Sequence, residues 1–457
     1  MKNKSNSTKN KVIRIAVTGT VVLTMTFAAF ILPLRPKVSE AEKRELAKFP
    51  EFSVTALLSG TYFSDIASWF SDTVPFRDTL VAINSKFQHI LGTATVLKGF
   101  NEAKRGDDIP DVPNTSSDLP TSDGTSEVQT DSPAGIPSEI TSAPETQPQG
   151  EYAGLVQKFD SILVAGNSGY EYYNFNQAAS DAYVAAVNAA GNRLNGRAKV
   201  YSMIIPTSID ITLDERVRKK VNVSDQKKAI DYMEGSMNQN VVRVEIFDAL
   251  KAHKDEYIYF RTDHHWTGLG AYYAYVRFCE IKGIQALPLS AYTARSFDNF
   301  LGSFYKDSGN DPALGASPDV VDTYTPPCGT KMTVTEKSGN TLVTPMIYNA
   351  TNNKPAYKYS AFIYGDNPFT VIENTDMTSG DALILVKESF GNAIAPLFTY
   401  HYKYVYVVDY RYYSGKLDAL VNTAKSTCGG NVDVLYCNNI SMTRASGQVT
   451  KLAAVLA

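Results

Sequence analysis

Ala382-Leu383-Ile384-Leu385-Val386-Lys387-Glu388-Ser389-Phe390-Gly391-Asn392 opens with five apolar residues and closes on a serine, a glycine and an amide. A short continuous apolar run of this kind is what a strand buried on both faces requires, and it occurs mostly in parallel sheets. The pattern repeats downstream. Gly391 to Tyr400 has helical character, Tyr404 to Val408 is a second strand, Leu417 to Ala424 a second helix, and Val432 to Tyr436 a third strand. Upstream, Ala198 to Ile205 is another buried strand. Strand, helix, strand, helix, strand predicts an α/β fold around a mainly parallel sheet with right-handed crossovers.

Ser389 stands between the first strand and the first helix, so its hydroxyl is expected on a tight turn. The backbone N–H groups after it are expected to be free to stabilise an oxyanion. Lys387 occupies the place of the first glycine of a G-x-S-x-G elbow, so the ordinary α/β-hydrolase turn is not matched. A serine here is also a natural helix N-cap. A second chemical segment changes the weighing. Arg261-Thr262-Asp263-His264-His265-Trp266-Thr267-Gly268 follows the strand-like Tyr257 to Phe260 and precedes a helix. That helix would have Thr267 as N-cap and an apolar stripe of Leu269, Tyr272, Tyr273, Val276 and Cys279. In an extended backbone Asp263 and His265 would share one side and His264 the other. A carboxylate two residues from an imidazole can accept its ring N–H and leave the other nitrogen as a base. Together with an exposed serine, this points to Ser-His-Asp chemistry, a hydrolase or an acyltransferase. A metal is not expected, because none of His89, His253 and His401 supplies a third ligand by spacing. No cofactor is expected either.

The wider chain fixes the setting. Of its 457 residues, 44% are hydrophobic, enough for a large core, which excludes wholesale disorder. A formal charge of -3 provides no basic field for nucleic acid. The 28 tyrosines suit a sugar-binding surface as well as they suit strands. Residues 1–14 form a basic tail carrying Lys2, Lys4, Lys9, Lys11 and Arg14, and residues 15–34 form an uncharged apolar stretch long enough to span a bilayer. The exit after Leu32 shows no small-residue cleavage pattern, so the stretch is expected to be an uncleaved signal anchor. The tail would be cytoplasmic and everything after Arg35 extracytoplasmic, in a single-pass protein of the cell membrane. Residues 35–104 are expected to be helical, with two short amphipathic helices between Ala56 and Gly92 that pack on each other or on the main domain. Residues 105–150 lack aromatics and hold seven prolines and nine carboxylates, the composition of a disordered linker or insertion. Residues 151–457 form the α/β domain. Cys279, Cys328, Cys428 and Cys437 fit either disulfides, with Cys428 and Cys437 closing a loop, or free thiols.

Thr262-Asp263-His264-His265-Trp266-Thr267 resembles the defining motif of the DHHW family. Val386 to Asn392, with Pro396, resembles that family's second block. Further likeness lies in Ser39-Glu40 and Leu46 to Pro50, Asp72 to Asp78, Ile205 to Ser208 and Val408 to Tyr413. The family is similar to the SGNH-like O-acetyltransferases of exported polysaccharides, of the kind that acetylate alginate. The resemblance implies an SGNH-hydrolase-like three-layer sandwich, with Ser389 as nucleophile, His265 as general base and Asp263 as its orienting carboxylate. Asn392, His264, Trp266 and Arg411 are the candidates for oxyanion or substrate binding; for Arg411 an ion pair with Asp409 is the competing reading. It also implies a polysaccharide or other glycan substrate and a membrane partner that supplies the acyl donor. Lys387 and Glu388 depart from the alginate enzymes' pattern, so acceptor specificity does not carry over. An O-acetylesterase and a non-catalytic glycan-binding or envelope-assembly module are the alternatives.

Overall fold

The structure, a computed structural model, describes residues 162–456 together with 38–39, 44–45, 48–53, 62, 66, 69, 70, 73, 109–110 and 156–158. The expected tail and anchor, nearly all of the two amphipathic helices and nearly all of the acidic segment lie outside the described residues. Among the described residues no helix is long and apolar enough to cross a membrane. The chain forms two units, Met1–Thr93 and Ala94–Ala457. In the first, Val38–Ser39 pairs antiparallel with Arg44–Glu45, and the Phe49 and Trp69 rings meet edge to face.

The second unit is organised by an eight-stranded sheet. Its strands in chain order are β1 (Lys199–Ile205), β2 (Val241–Arg243), β3 (Thr330–Thr335), β4 (Thr341–Thr344), β5 (Phe369–Asn374), β6 (Gly380–Lys387), β7 (Tyr404–Asp409) and β8 (Gly429–Asn439). In space they run β4-β3-β5-β7-β6-β8-β1-β2. From β7 through β2 every pairing is parallel, and β5, β3 and β4 extend the sheet antiparallel beyond β7. The antiparallel edge was not foreseen. Strands β3 and β5 largely alternate half-buried with buried residues and β4 exposed with half-buried ones, so they lack the continuous apolar runs that marked the parallel core.

The longer helices that flank the sheet among the described residues are α1 (Gln177–Leu194), α2 (Gln226–Gly235), α3 (Gly268–Lys282), α4 (Gly391–Phe398), α5 (Leu417–Cys428) and α6 (Ser446–Leu456). Strand β6 shows how the layers form. Leu383 and Leu385 face one core, with Ala274 and Phe278 of α3 and Ile394 and Phe398 of α4. Ala382, Ile384 and Val386 face the other, with Tyr183 of α1, Met233 of α2, Val421 of α5 and Leu452 of α6. The period of two splits the run between two helical layers, giving a three-layer α/β/α sandwich. Each fully buried aliphatic side chain contributes about 1.5–3 kcal/mol relative to exposure, and this strand contributes such side chains to both cores.

The buried stripe of α3 is shifted from the expected one. Ala271, Ala274, Tyr275, Phe278 and Cys279 are buried, whereas Leu269, Tyr272, Tyr273 and Val276 are half-buried at the rim. Small residues let the helix approach the sheet closely, and the larger side chains on its flanks mask that face in the sequence. All four cysteines are unpaired.

Candidate active site

Tyr257 to Phe260 does not form a ladder strand. Tyr259 and Trp266 make a single antiparallel bridge, with the Phe260 N–H donating to the His265 carbonyl at 3.1 Å, and residues 261–265 bend out between them. The bend is held from outside. The buried Asp319 carboxylate accepts from the Thr262 N–H at 2.7 Å, from the Thr262 hydroxyl at 2.6 Å and from the Arg261 N–H at 3.1 Å. Beyond the bend Thr267 caps α3, its Oγ1 accepting from the Gly270 N–H at 3.2 Å, as its position predicts.

Inside the bend Asp263 Oδ1 lies 2.5 Å from His265 Nδ1 and also accepts the His265 backbone N–H at 3.1 Å. Its Oδ2 accepts the Ser303 N–H at 2.8 Å. Gly302 makes this close approach possible, since a Cβ there would lie 2.2 Å from Asp263 Cβ. His265 Nε2 is 2.7 Å from Ser389 Oγ, across 124 residues of sequence. Asp263, His265 and Ser389 therefore form one hydrogen-bonded line, buried but for 6–8% of each residue. The pairing expected of an extended segment occurs in a bend, and His264 is not on the opposite face. Its ring centroid is 3.9 Å from that of His265, and its Nδ1 pairs with Ser303 Oγ at 2.7 Å.

Ser389 sits on a turn closed largely by its own neighbours. The Gly391 N–H donates to the Glu388 carbonyl at 2.9 Å and the Asn392 N–H to the Ser389 carbonyl at 3.1 Å. Glu388 Oε2 accepts the Phe390 N–H at 3.0 Å, and its Oε1 accepts the Asn439 N–H at the end of β8 at 2.8 Å. The expectation of free N–H groups after Ser389 is thus corrected, because all three are consumed in closing the turn. Among the described residues no acceptor pairs with the N–H of Ser389 itself.

Trp266 is also corrected as a substrate contact. It is fully buried, and its indole N–H donates to the Phe390 carbonyl at 2.9 Å, tying the histidine bend to the serine turn. Tyr359 adds a tie that the sequence did not announce. Its ring stacks on His265 at 4.0 Å and its hydroxyl donates to the Ser389 carbonyl at 3.0 Å. Arg411 is committed to carboxylates, donating to Asp409 at 2.7 and 2.8 Å and lying 3.0 Å from Asp366. Asn392 Nδ2 donates to Asp366 at 2.8 Å. Lys387, wholly buried, reaches Asp409 at 3.0 Å. Asp366 and Tyr359 arrive from the segment before β5; the turn letters of Gly365-Asp366-Asn367-Pro368 were the one sequence signal that could have flagged Asp366.

Burial raises the Asp263 carboxyl, but the His264 and His265 rings and the Ser303 N–H outweigh it and hold it well below the usual carboxylate range. Burial, then the neighbouring His264, push His265 down to about 4 against the opposing pull of Asp263. The imidazole is neutral at pH 7, the state a general base requires. For Asp366, burial again raises, while Arg411 and Lys387 prevail and keep it ionised.

Donor atoms of Asp263, His264 and His265 lie within 4.8 Å of one another, close enough to hold a cation. Both His265 nitrogens, both Asp263 oxygens and His264 Nδ1 are already engaged within the protein. The donor set therefore fits a proton relay better than a metal centre.

Residues 42–408 match the DHHW protein family. The chain belongs to the DHHW family. No curated relative matches the sequence. Among solved structures, a DHHW family protein from Eubacterium siraeum is similar at 25% identity and a TM-score of 0.58, covering 66% of this chain and 98% of that one. Bacillus cereus PatB1, solved with a sulfonyl adduct, shares the fold at 19% identity and a TM-score of 0.50, covering 64% of this chain and 98% of PatB1. The O-acetyltransferase domain of Pseudomonas putida AlgJ matches at 13% identity and a TM-score of 0.32, over 65% of this chain and 98% of that domain.

Proposed function

We propose that this DHHW protein is an SGNH-hydrolase-like acyl-transfer enzyme, an O-acetyltransferase acting on a cell-surface or exported polysaccharide. Its apolar segment 15–34 anchors it in the cell membrane with the α/β domain outside, where a membrane partner presents the acyl donor. The observation that carries the chemistry is the unbroken line from Ser389 Oγ through His265 to Asp263.

His265 Nε2 takes the Ser389 proton as Oγ attacks the donor's acetyl carbonyl, while Asp263 stabilises the imidazolium that forms. The Ser389 N–H is the turn's available donor to the oxyanion. The leaving group departs with the proton from His265, leaving acetyl-Ser389. An acceptor hydroxyl then gives its proton to His265 and attacks the acyl carbon, releasing Ser389.

The test is incubation of the full chain in detergent with 4-nitrophenyl acetate, following nitrophenol release and adduct mass. A burst and an acetyl adduct on Ser389, both lost in Ser389→Ala and His265→Ala, are expected. Wild-type release no greater than that of the two variants would leave a non-catalytic glycan-binding module as the better reading.

A further inference from the structure

Asp366 stands at the end of an unusual turn. Ile363, Tyr364 and Gly365 follow one another with φ of 46°, 63° and 79°. A β-branched residue in the left-handed region is a real outlier, and such conformations persist where the surroundings over-determine them, often at ligand-binding positions. The turn is pinned by the Ile363 N–H to the Met346 carbonyl and the Gly365 N–H to the Phe362 carbonyl, each at 3.0 Å. Its effect is to deliver a carboxylate to the first turn of the helix that follows Ser389.

There Asp366 meets Asn392, Arg411 and Lys387, at 2.8, 3.0 and 3.6 Å. The two cations keep it an acceptor of hydrogen bonds and never a donor. Lys387 and Asp409 are sealed in the core, whereas the Asp366 side chain keeps 31% of its surface open. Asn392 supplies an independent observation. It is 1% exposed, one of its amide hydrogens goes to Asp366, and its Oδ1 has no partner among the described residues. A buried acceptor without a donor costs about 1–3 kcal/mol unless something supplies one. One partly open carboxylate and one unpaired amide oxygen, both at the first turn of the helix that follows Ser389, call for a ligand rich in hydroxyl donors.

We propose that Asp366 and the side-chain carbonyl of Asn392 form the acceptor subsite, which receives a sugar or related polyol. The proposal rests on the acyl-transfer reading above and names the group that sets its specificity. One hydroxyl of a vicinal pair donates to Asp366, and its neighbour is thereby held over the acyl carbon within reach of His265 Nε2. That second hydroxyl loses its proton to His265, its oxygen bonds to the acyl carbon, and the bond from the acyl carbon to Ser389 Oγ breaks as Oγ recovers the proton. Water has no second hydroxyl to anchor, so the subsite sets the partition between transfer and hydrolysis.

The experiment uses the full chain with 4-nitrophenyl acetate as donor and either glycerol or 1-propanol, at equal concentration, as acceptor. Nitrophenol, acetylated alcohol and acetate are measured together. Wild type is expected to favour glycerol over 1-propanol by at least tenfold, a comparison that needs no variant. In Asp366→Asn the ratio of acetylglycerol to acetate is expected to fall at least tenfold, beyond any fall in nitrophenol release. Equal use of the two alcohols by wild type overturns the proposal. So does a variant in which transfer and nitrophenol release fall together, since Asp366 would then only brace the serine helix. A wild type that releases no nitrophenol burst defeats the acyl-enzyme reading instead.

Discussion

The histidine bend, 259–267, has almost no regular structure of its own, whereas the serine turn sits between a strand and a helix that are both buried. Asp263 and His265 are aimed by residues some 40 to 60 positions further along the chain: Gly302, Ser303 and Asp319. Ser389 is aimed mainly by residues within three positions of it, with Glu388 stitching the turn to β8. The nucleophile is thus placed mainly by its own strand, turn and helix, with ties from Trp266, Tyr359 and Asn439, while its base depends chiefly on tertiary contacts that arrive later in the sequence. The two halves should fail differently when perturbed.

Asp263→Asn should be the most severe change. The amide reverses the hydrogen-bond polarity at His265 Nδ1 and favours the wrong tautomer, so Ser389 acylation should fall on the order of 10⁴-fold. The burst of nitrophenol measures it, and a loss under tenfold would show that the tautomer is set elsewhere. Gly302→Ala comes next. The new Cβ displaces the Asp263 carboxylate, and misplacement by about 1 Å costs about 10²-fold. Because the serine turn does not depend on Gly302, labelling of Ser389 by a sulfonyl fluoride should still occur, though more slowly.

Acidity tests the electrostatics of the histidine half. A base with a pKa of about 4 stays unprotonated as pH falls through the usual histidine range, so the rate should hold to near pH 5 and drop below pH 4. An imidazole at its ordinary 6.5 would already have lost about 30-fold at pH 5, and a fall in kcat/KM centred there would contradict the burial argument. The smallest effect is expected from Tyr359→Phe, which keeps the ring stacked on His265 and removes only the bond to the Ser389 carbonyl. A neutral hydrogen bond is worth about 1 kcal/mol, or roughly fivefold in rate.

What was readable follows the same division. The run Ala382 to Val386, the serine after it and the helices that follow stand in the sequence because burial on both faces demands an unbroken apolar stretch. The partnership of Asp263 with His265 was readable from their spacing, although the extended backbone assumed for it was wrong and His264 lies against its neighbour. Trp266 looked like a binding ring and is a structural pin. Tyr359, Ser303, Asp319 and Asp366 left almost no trace, since they act from a short helical turn, the start of a short helix, the start of an outlying strand and a turn, whose destinations only the folded sheet defines. The antiparallel strands β3 to β5 were missed for a related reason: half-buried alternation reads much like polar surface.

Strand β8 comes late in the sequence but lies between β6 and β1, hydrogen-bonded to both. During synthesis the histidine bend leaves the ribosome first, then the serine strand, and only afterwards the strand that joins the serine strand to the older half of the sheet. Until then both neighbours have open edges, and Glu388 lacks the Asn439 N–H that steadies the serine turn. A chain interrupted before β8 would therefore hold the serine strand and the older half of the sheet unjoined, with the serine turn short of one of its braces.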